Sequence, residues 1–214
     1  MRPRVHNVAS YTGALLVFWG VLGLRARGLA VSTTAALAAA LWSLHFVRRV
    51  WESAFVHRYS KARIEAADYL TEYLYYWGFG AWIAWSVTAP SQPAPAAPLQ
   101  ALGLVVFTIA EAGNARAHRM LRALRAPGGR ERQIPRGFLF ERVSCPHYFF
   151  EIASWAGFNL VTQTWAGAAF MLVGAGILGA WAHTRHAAYQ KQFDGSEGRA
   201  LYPAERRALI PFLF

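Results

Sequence analysis

The feature that most constrains this chain is its alternation of long apolar blocks, free of lysine and arginine, with segments that hold the basic residues. Six blocks, at residues 10–24, 29–46, 66–87, 99–112, 146–162 and 165–182, are apolar enough to enter hydrocarbon. A helix needs roughly 20 residues to cross a bilayer core, so the short first and fourth blocks must tilt, borrow from their flanks or pair as a hairpin. Hydrocarbon offers the backbone no hydrogen-bond partners, so spans of this kind are helical. The expected fold is therefore all-α, a polytopic transmembrane helical bundle of six to seven spans forming a single membrane domain over residues 1–214. A seventh span would come from the arginine-rich segment after Asn114, which starts as a helix. Residues 89–98 are rich in proline and free of charge, which makes them an extended connector.

Charge decides between two kinds of partner. The chain carries a net charge of +11 although its charged residues make up 15% of the total, against roughly 25% in soluble domains. A basic chain suits either nucleic acid or a membrane with basic cytoplasmic loops. Here the cations sit between apolar blocks rather than on a solvated face, so the partner is the lipid bilayer and not nucleic acid. With six spans, 20 of the 22 lysines and arginines fall on the side of the two termini, and Arg25 and Arg27 on the other. By the positive-inside rule both termini are then cytoplasmic. Arg2, Arg4 and His6 precede the first apolar run without a cleavage site behind it, so that run is expected to stay in the mature protein. The alanine- and arginine-rich composition points to a bacterial inner membrane, or to the endoplasmic reticulum in a eukaryote. Cys145 is the single cysteine, which excludes an internal disulfide and makes it a packing residue at a helix start.

Polar residues at membrane depth are costly, and those retained tend to be functional. The candidates are Glu52, Asp68, Glu72, Glu111, Asn114, Glu151 and Asn159. Glu151 stands out because it falls about a turn into the fifth block, after the proline-started run from Cys145 to Phe150. Arg116, Arg119, Arg122 and Arg125 recur every three residues and cover a broad half-face of a helix. Such a face suits a polyanion with separated charges, such as a dinucleotide, and it equally suits anionic lipid headgroups. No glycine-rich phosphate loop is present. His183 and His186 form an isolated HxxH, which is not a metal-binding set, and no metal is expected.

Several stretches resemble a known family. Pro135-Arg-Gly-Phe-Leu-Phe-Glu-Arg-Val-Ser-Cys-Pro-His-Tyr-Phe-Phe-Glu-Ile-Ala-Ser-Trp-Ala-Gly-Phe158, His186-Ala-Ala-Tyr189 with Phe193, and the run from Tyr202-Pro203 to Ala208-Leu-Ile-Pro-Phe-Leu-Phe214 resemble the carboxy-terminal signature of the steroid 5α-reductase superfamily. Within it, Leu44-His-Phe-Val-Arg-Arg49 with Glu52 and Phe55-Val-His-Arg-Tyr-Ser60, Tyr75-Tyr-Trp-Gly-Phe79, and Val143-Ser-Cys-Pro-His-Tyr148 are similar to the trans-2-enoyl-CoA reductases. The resemblance covers residues 40–214, and it places a cytoplasmic cofactor-binding segment at residues 115–145.

The resemblance implies NADPH-dependent reduction of a C=C bond conjugated to a carbonyl, with an acyl-CoA or another lipid enone as substrate. Tyr148 matches the proton donor, and Arg48 stands where the enoyl reductases have a functional lysine. Asn114, Arg122, Arg125, Glu151 and Tyr189 match cofactor positions, as does His147, which replaces an asparagine. His57, Arg58, Arg185 and Arg206 are weaker carry-overs to the same cofactor. Phe46 and Glu52 fall at substrate positions, and Phe46 replaces a tyrosine that steroid reductases use on the ketone. His118 stands where those enzymes carry an aspartate. The implied reaction sends hydride to the β-carbon, and donors near the thioester oxygen stabilise the charge that develops there. A phenol, with an unperturbed pKa of about 10, then delivers a proton to the α-carbon. A 4-ene-3-ketosteroid is the alternative substrate. A membrane methyltransferase using S-adenosylmethionine and a non-catalytic lipid-binding protein are the alternatives outside this chemistry.

Overall fold

The computed structural model describes residues 1–27, 30–59, 63, 65–124 and 133–214. Among them the chain is all-helical: α1 (Pro3–Arg25), α2 (Thr33–Trp51), α3 (Ala66–Val87), α4 (Ala97–Ala123), α5 (Pro146–Thr162) and α6 (Trp165–Gln192). A π turn, Glu52–Val56, continues α2, and short 3-10 turns lie at Phe138–Glu141 and Ser196–Gly198. Val143 with Arg207, and Asp194 with Leu201, form isolated β-bridges.

The helices α3 and α5 coincide with their apolar blocks. Three others overrun them. α1 begins at Pro3, α4 runs on through Arg116, Arg119 and Arg122, and α6 continues to Gln192. The physical reason is that a helix, once nucleated, propagates cheaply through alanine and arginine, whereas an apolar block ends at its first cations. α2 shifts instead, starting at Thr33 because Ser32 caps it by accepting the Ala35 amide hydrogen at 3.1 Å.

Two compact units divide the chain. The first holds residues 1–107 and 155–171, the second residues 108–154 and 172–214. In the first unit α1 packs on α2 and α3, around the fully buried Trp42. The Trp42 ring stacks on Phe18 at 5.1 Å and lies 4.6 Å from Phe46, 5.5 Å from Trp155 and 5.7 Å from Phe170. Its Nε1–H donates to the Ala14 carbonyl at 3.1 Å, so its one polar atom is satisfied. Gly103 of α4 and Gly157 of α5 let two backbones touch. A Cβ on Gly103 would lie 2.6 Å from the Gly157 carbonyl oxygen, a small-residue contact of the kind that membrane helices use.

By length and composition, α1 and α6 can each cross a membrane, with 23 and 28 residues and about a quarter of their most apolar stretch buried. The rest of that stretch faces outward, with Leu16, Trp19 and Leu24 exposed on α1 and Leu172, Val173, Ile177 and Trp181 on α6. Apolar surface on this scale is stable against lipid rather than water.

Candidate active site

The second unit carries most of the charged side chains. Along its part of α4, Ala110, Glu111, Asn114, Ala117 and His118 are buried at helical spacing. Arg116, Arg119 and Arg122 lie exposed on the opposite side, the half-face that the spacing predicts. The guanidinium of Arg116 covers the Phe138 ring at 4.3 Å.

Asn114 ties α4 to the first turns of α5. Its Nδ2 donates to the His147 carbonyl at 2.7 Å and to Glu151 Oε2 at 2.9 Å. Gly113 makes the approach possible, since a Cβ there would meet the Phe150 ring at 2.6 Å. The sequence-predicted Asn114, His147 and Glu151 thus form one hydrogen-bonded group. His118 joins its edge, with its ring 5.7 Å from that of His147.

Pro146 opens α5, where a missing amide hydrogen costs nothing, and the residues before it are held by a distant strap. Ser144 N donates to the Arg207 carbonyl at 2.8 Å, Cys145 N to the Ala208 carbonyl at 3.1 Å, and Arg207 N to the Arg142 carbonyl at 2.9 Å. Beside this strap the Arg206 side chain is wholly buried. It donates to the Pro135 carbonyl at 2.8 Å and to Glu141 Oε2 at 3.1 Å. The Gly137 amide, and after it the Arg206 guanidinium, hold the Glu141 carboxyl below the ordinary glutamate range.

Tyr148 packs against Cys145, Ala182, Ala208 and Leu209. Its ring lies 4.2 Å from the His147 ring. The Arg185 guanidinium sits 5.6 Å from the Tyr148 ring centre. A phenol and a guanidinium brought together in this way can move a proton and stabilise the charge left behind. The Cys145 thiol is pushed up to about 12 by burial, so it stays protonated and acts in packing, as expected. Tyr189 stacks on Tyr202 at 5.4 Å. Tyr202 in turn shares the hydroxyl of Ser144, at 2.7 Å, with His186 Nδ1, at 2.6 Å.

The remaining expected residues lie in the first unit. Phe46 is fully buried in the ring cluster around Trp42. Glu52 is 3% exposed and accepts from Arg48 Nη1 at 2.7 Å and from Arg49 Nη1 at 2.9 Å, with His57 Nε2 4.0 Å away. This buried carboxylate starts the π turn, closed by the His57 amide donating to the Glu52 carbonyl at 2.8 Å, an irregularity frequent at functional sites. Arg49 also donates to the Tyr11 hydroxyl at 3.0 Å. Arg58 follows the turn, half-buried, and Arg125 lies outside the described residues. Sequence reasoning quoted Arg49, Ser144, His186 and Tyr202 within motifs but gave none of them a role. The available signal was a polar residue, Ser144, set between apolar ones just before a helix-starting proline.

Comparison with known proteins adds a second line of information. The family described as 3-oxo-5-alpha-steroid 4-dehydrogenase matches residues 91–214. A "Very-long-chain enoyl-CoA reductase" of Dictyostelium discoideum is 41% identical over 172 residues, covering 80% of this chain and 56% of that protein. A Caenorhabditis elegans protein named "Probable very-long-chain enoyl-CoA reductase art-1" is 34% identical over 221 residues, covering 96% of this chain and 70% of its own. The "Steroid 5-alpha-reductase DET2" of Gossypium hirsutum is 38% identical over 112 residues, covering 52% of this chain and 42% of that one. The chain therefore spans little more than half the length of the Dictyostelium relative.

Proposed function

The chain belongs to the 3-oxo-5-alpha-steroid 4-dehydrogenase family, and on that ground we propose that it is an integral membrane oxidoreductase that reduces the C=C bond of a trans-2-enoyl thioester with NADPH. The observation that carries the reading is the Arg185 guanidinium 5.6 Å from the centre of the Tyr148 ring. Relatives named for enoyl-CoA reduction match 80% and 96% of the chain, against 52% for the steroid reductase. Phe46 has no hydroxyl to offer a steroid ketone, which also favours the thioester. A 4-ene-3-ketosteroid is the second reading, supported by the family description.

The donor chemistry of the second unit fits a phosphorylated dinucleotide. Arg116, Arg119 and Arg122 present guanidiniums on one exposed face of α4, and Arg125 continues their sequence spacing. S-adenosylmethionine has no phosphate to meet such a face. When bound, NADPH supplies the hydride that goes to the β-carbon. The group built from Asn114, His147 and Glu151 orients the cofactor, and Tyr189 contributes a ring beside it. Tyr148 delivers its hydroxyl proton to the α-carbon, and Arg185 stabilises the phenolate that results. Arg206 acts indirectly, by holding the turn at residues 135–141.

In the proposed topology six spans put both termini and the site's mouth on the cytoplasmic side, in the inner membrane of a bacterium. The test is NADPH oxidation by the purified protein with a trans-2-enoyl-CoA and, separately, a 4-ene-3-ketosteroid. Turnover of the enoyl-CoA alone is expected, and turnover of the steroid alone would replace the reading with the second. Tyr148→Phe should lower kcat by roughly 10²–10⁴-fold with NADPH still bound, and an unchanged kcat would remove Tyr148 as the donor.

A further inference from the structure

Ser144, His186 and Tyr202 form a hydrogen-bonded row, buried at Ser144 and Tyr202 and half-buried at His186, that the reaction above does not use. Ser144 Oγ lies 2.6 Å from His186 Nδ1 and 2.7 Å from the Tyr202 hydroxyl. Ser144 and Tyr202 are both under 5% exposed. A hydroxyl has one hydrogen, so between two partners it donates to one and accepts from the other. The row therefore has a direction, and each member fixes the orientation of the next. Ser144 is anchored a third time through its backbone, by the amide bond to the Arg207 carbonyl.

The location of the row gives it a consequence. Ser144 lies two residues before α5 begins, and the Tyr148 amide bonds back to the Cys145 carbonyl at 3.0 Å. His186 directly follows Arg185 on α6. The Ser144–His186 bond therefore joins the start of the helix that carries Tyr148 to the residue beside the Tyr148 partner. A shift or rotation of either segment would separate the phenol from the guanidinium.

We propose that Ser144, through His186 and Tyr202, is a positioning residue that sets the register between Tyr148 and Arg185. This rests on the reading of Tyr148 as the proton donor. Ser144 touches neither substrate nor cofactor in this role. Its contribution is orientation, where a displacement of about 1 Å can cost about 100-fold in rate.

The experiment uses the full chain in lipid nanodiscs, with 3-fluorotyrosine installed at position 148 and three variants: Ser144→Ala, His186→Leu and His186→Asn. Ser144→Ala and His186→Leu should lower kcat for the enoyl-CoA about 100-fold, with NADPH affinity nearly unchanged. Both should also shift the fluorine resonance of Tyr148. His186→Asn, whose amide can replace Nδ1, should restore most of the rate and the resonance. A role confined to stability would lower rate and active fraction together and would not separate Leu from Asn at position 186. Equal effects of those two substitutions, or an unmoved resonance in both Ser144→Ala and His186→Leu, would overturn the proposal. If Ser144→Ala does not fold, the pair at His186 decides alone. If the unsubstituted protein turns over no enone, the proposed function has failed, and the fluorine resonance still decides whether the row positions Tyr148.

Discussion

Trp42 and Arg206 are both fully buried, one at the centre of the first unit and the other in the second, yet they hold their surroundings by different physics. Trp42 is surrounded by Phe18, Phe46, Trp155, Phe158 and Phe170, and dispersion between rings depends little on direction. Arg206 is held by two directed bonds to a carbonyl and a carboxylate, and a guanidinium fork admits few substitutes. A core of the first kind tolerates a change of shape. A network of the second kind loses most of its value when one member is wrong. The directed network is therefore better suited than the aromatic core to orienting a reaction.

Four substitutions or conditions test that contrast. Trp42→Ala should lower stability most, by about 4 kcal/mol in thermal unfolding, while Trp42→Phe should recover more than half of the loss. Arg206→Ala should cost about 3 kcal/mol. Here Arg206→Lys should recover little, since an ammonium cannot span both acceptors, and a full rescue by lysine would erase the contrast. Acid titration probes Glu141, whose carboxyl is held low in the folded chain. Its contribution is present above the ordinary glutamate value of about 4.3 and is lost as pH falls through the lowered folded value. Because this carboxylate is 46% exposed, the effect should be below about 1 kcal/mol and absent in Glu141→Gln. The smallest change is at Glu197, exposed and at φ +51°, where Glu197→Gly should stabilise by about 0.5 kcal/mol.

What the residues disclosed in advance follows the same division. The helical class and the family resemblance were legible, because hydropathy and local motifs are written along the chain. α3 and α5 end where their apolar blocks end, and Pro146 marks a helix start in any context. The exposed run of Arg116, Arg119 and Arg122 and the buried Asn114 and Glu111 follow from helical spacing alone. The strap between residues 142–145 and 206–208 was not legible, because no local pattern announces which distant amide will find which carbonyl. The partners of Arg206 were not legible for a related reason. Sequence gives the charge of an arginine but not whether a carbonyl such as that of Pro135 is waiting for it. Ser144 and His186 lie 42 residues apart and looked like an ordinary serine and half of an unremarkable histidine pair.

The strap also bears on when the protein becomes active during its synthesis. Val143 and Arg207 lie 64 residues apart, so the partner that orders the start of α5 leaves the ribosome long after the segment it orders. Closing so long an interval is entropically costly and slow beside local helix formation. A nascent chain halted just before residue 206 would already have all six helices, yet the segment carrying Tyr148 would lack its clasp. In the proposed reading, membrane insertion and the ordering of the Tyr148 segment are thus separate events in time, with the second waiting on a few late residues.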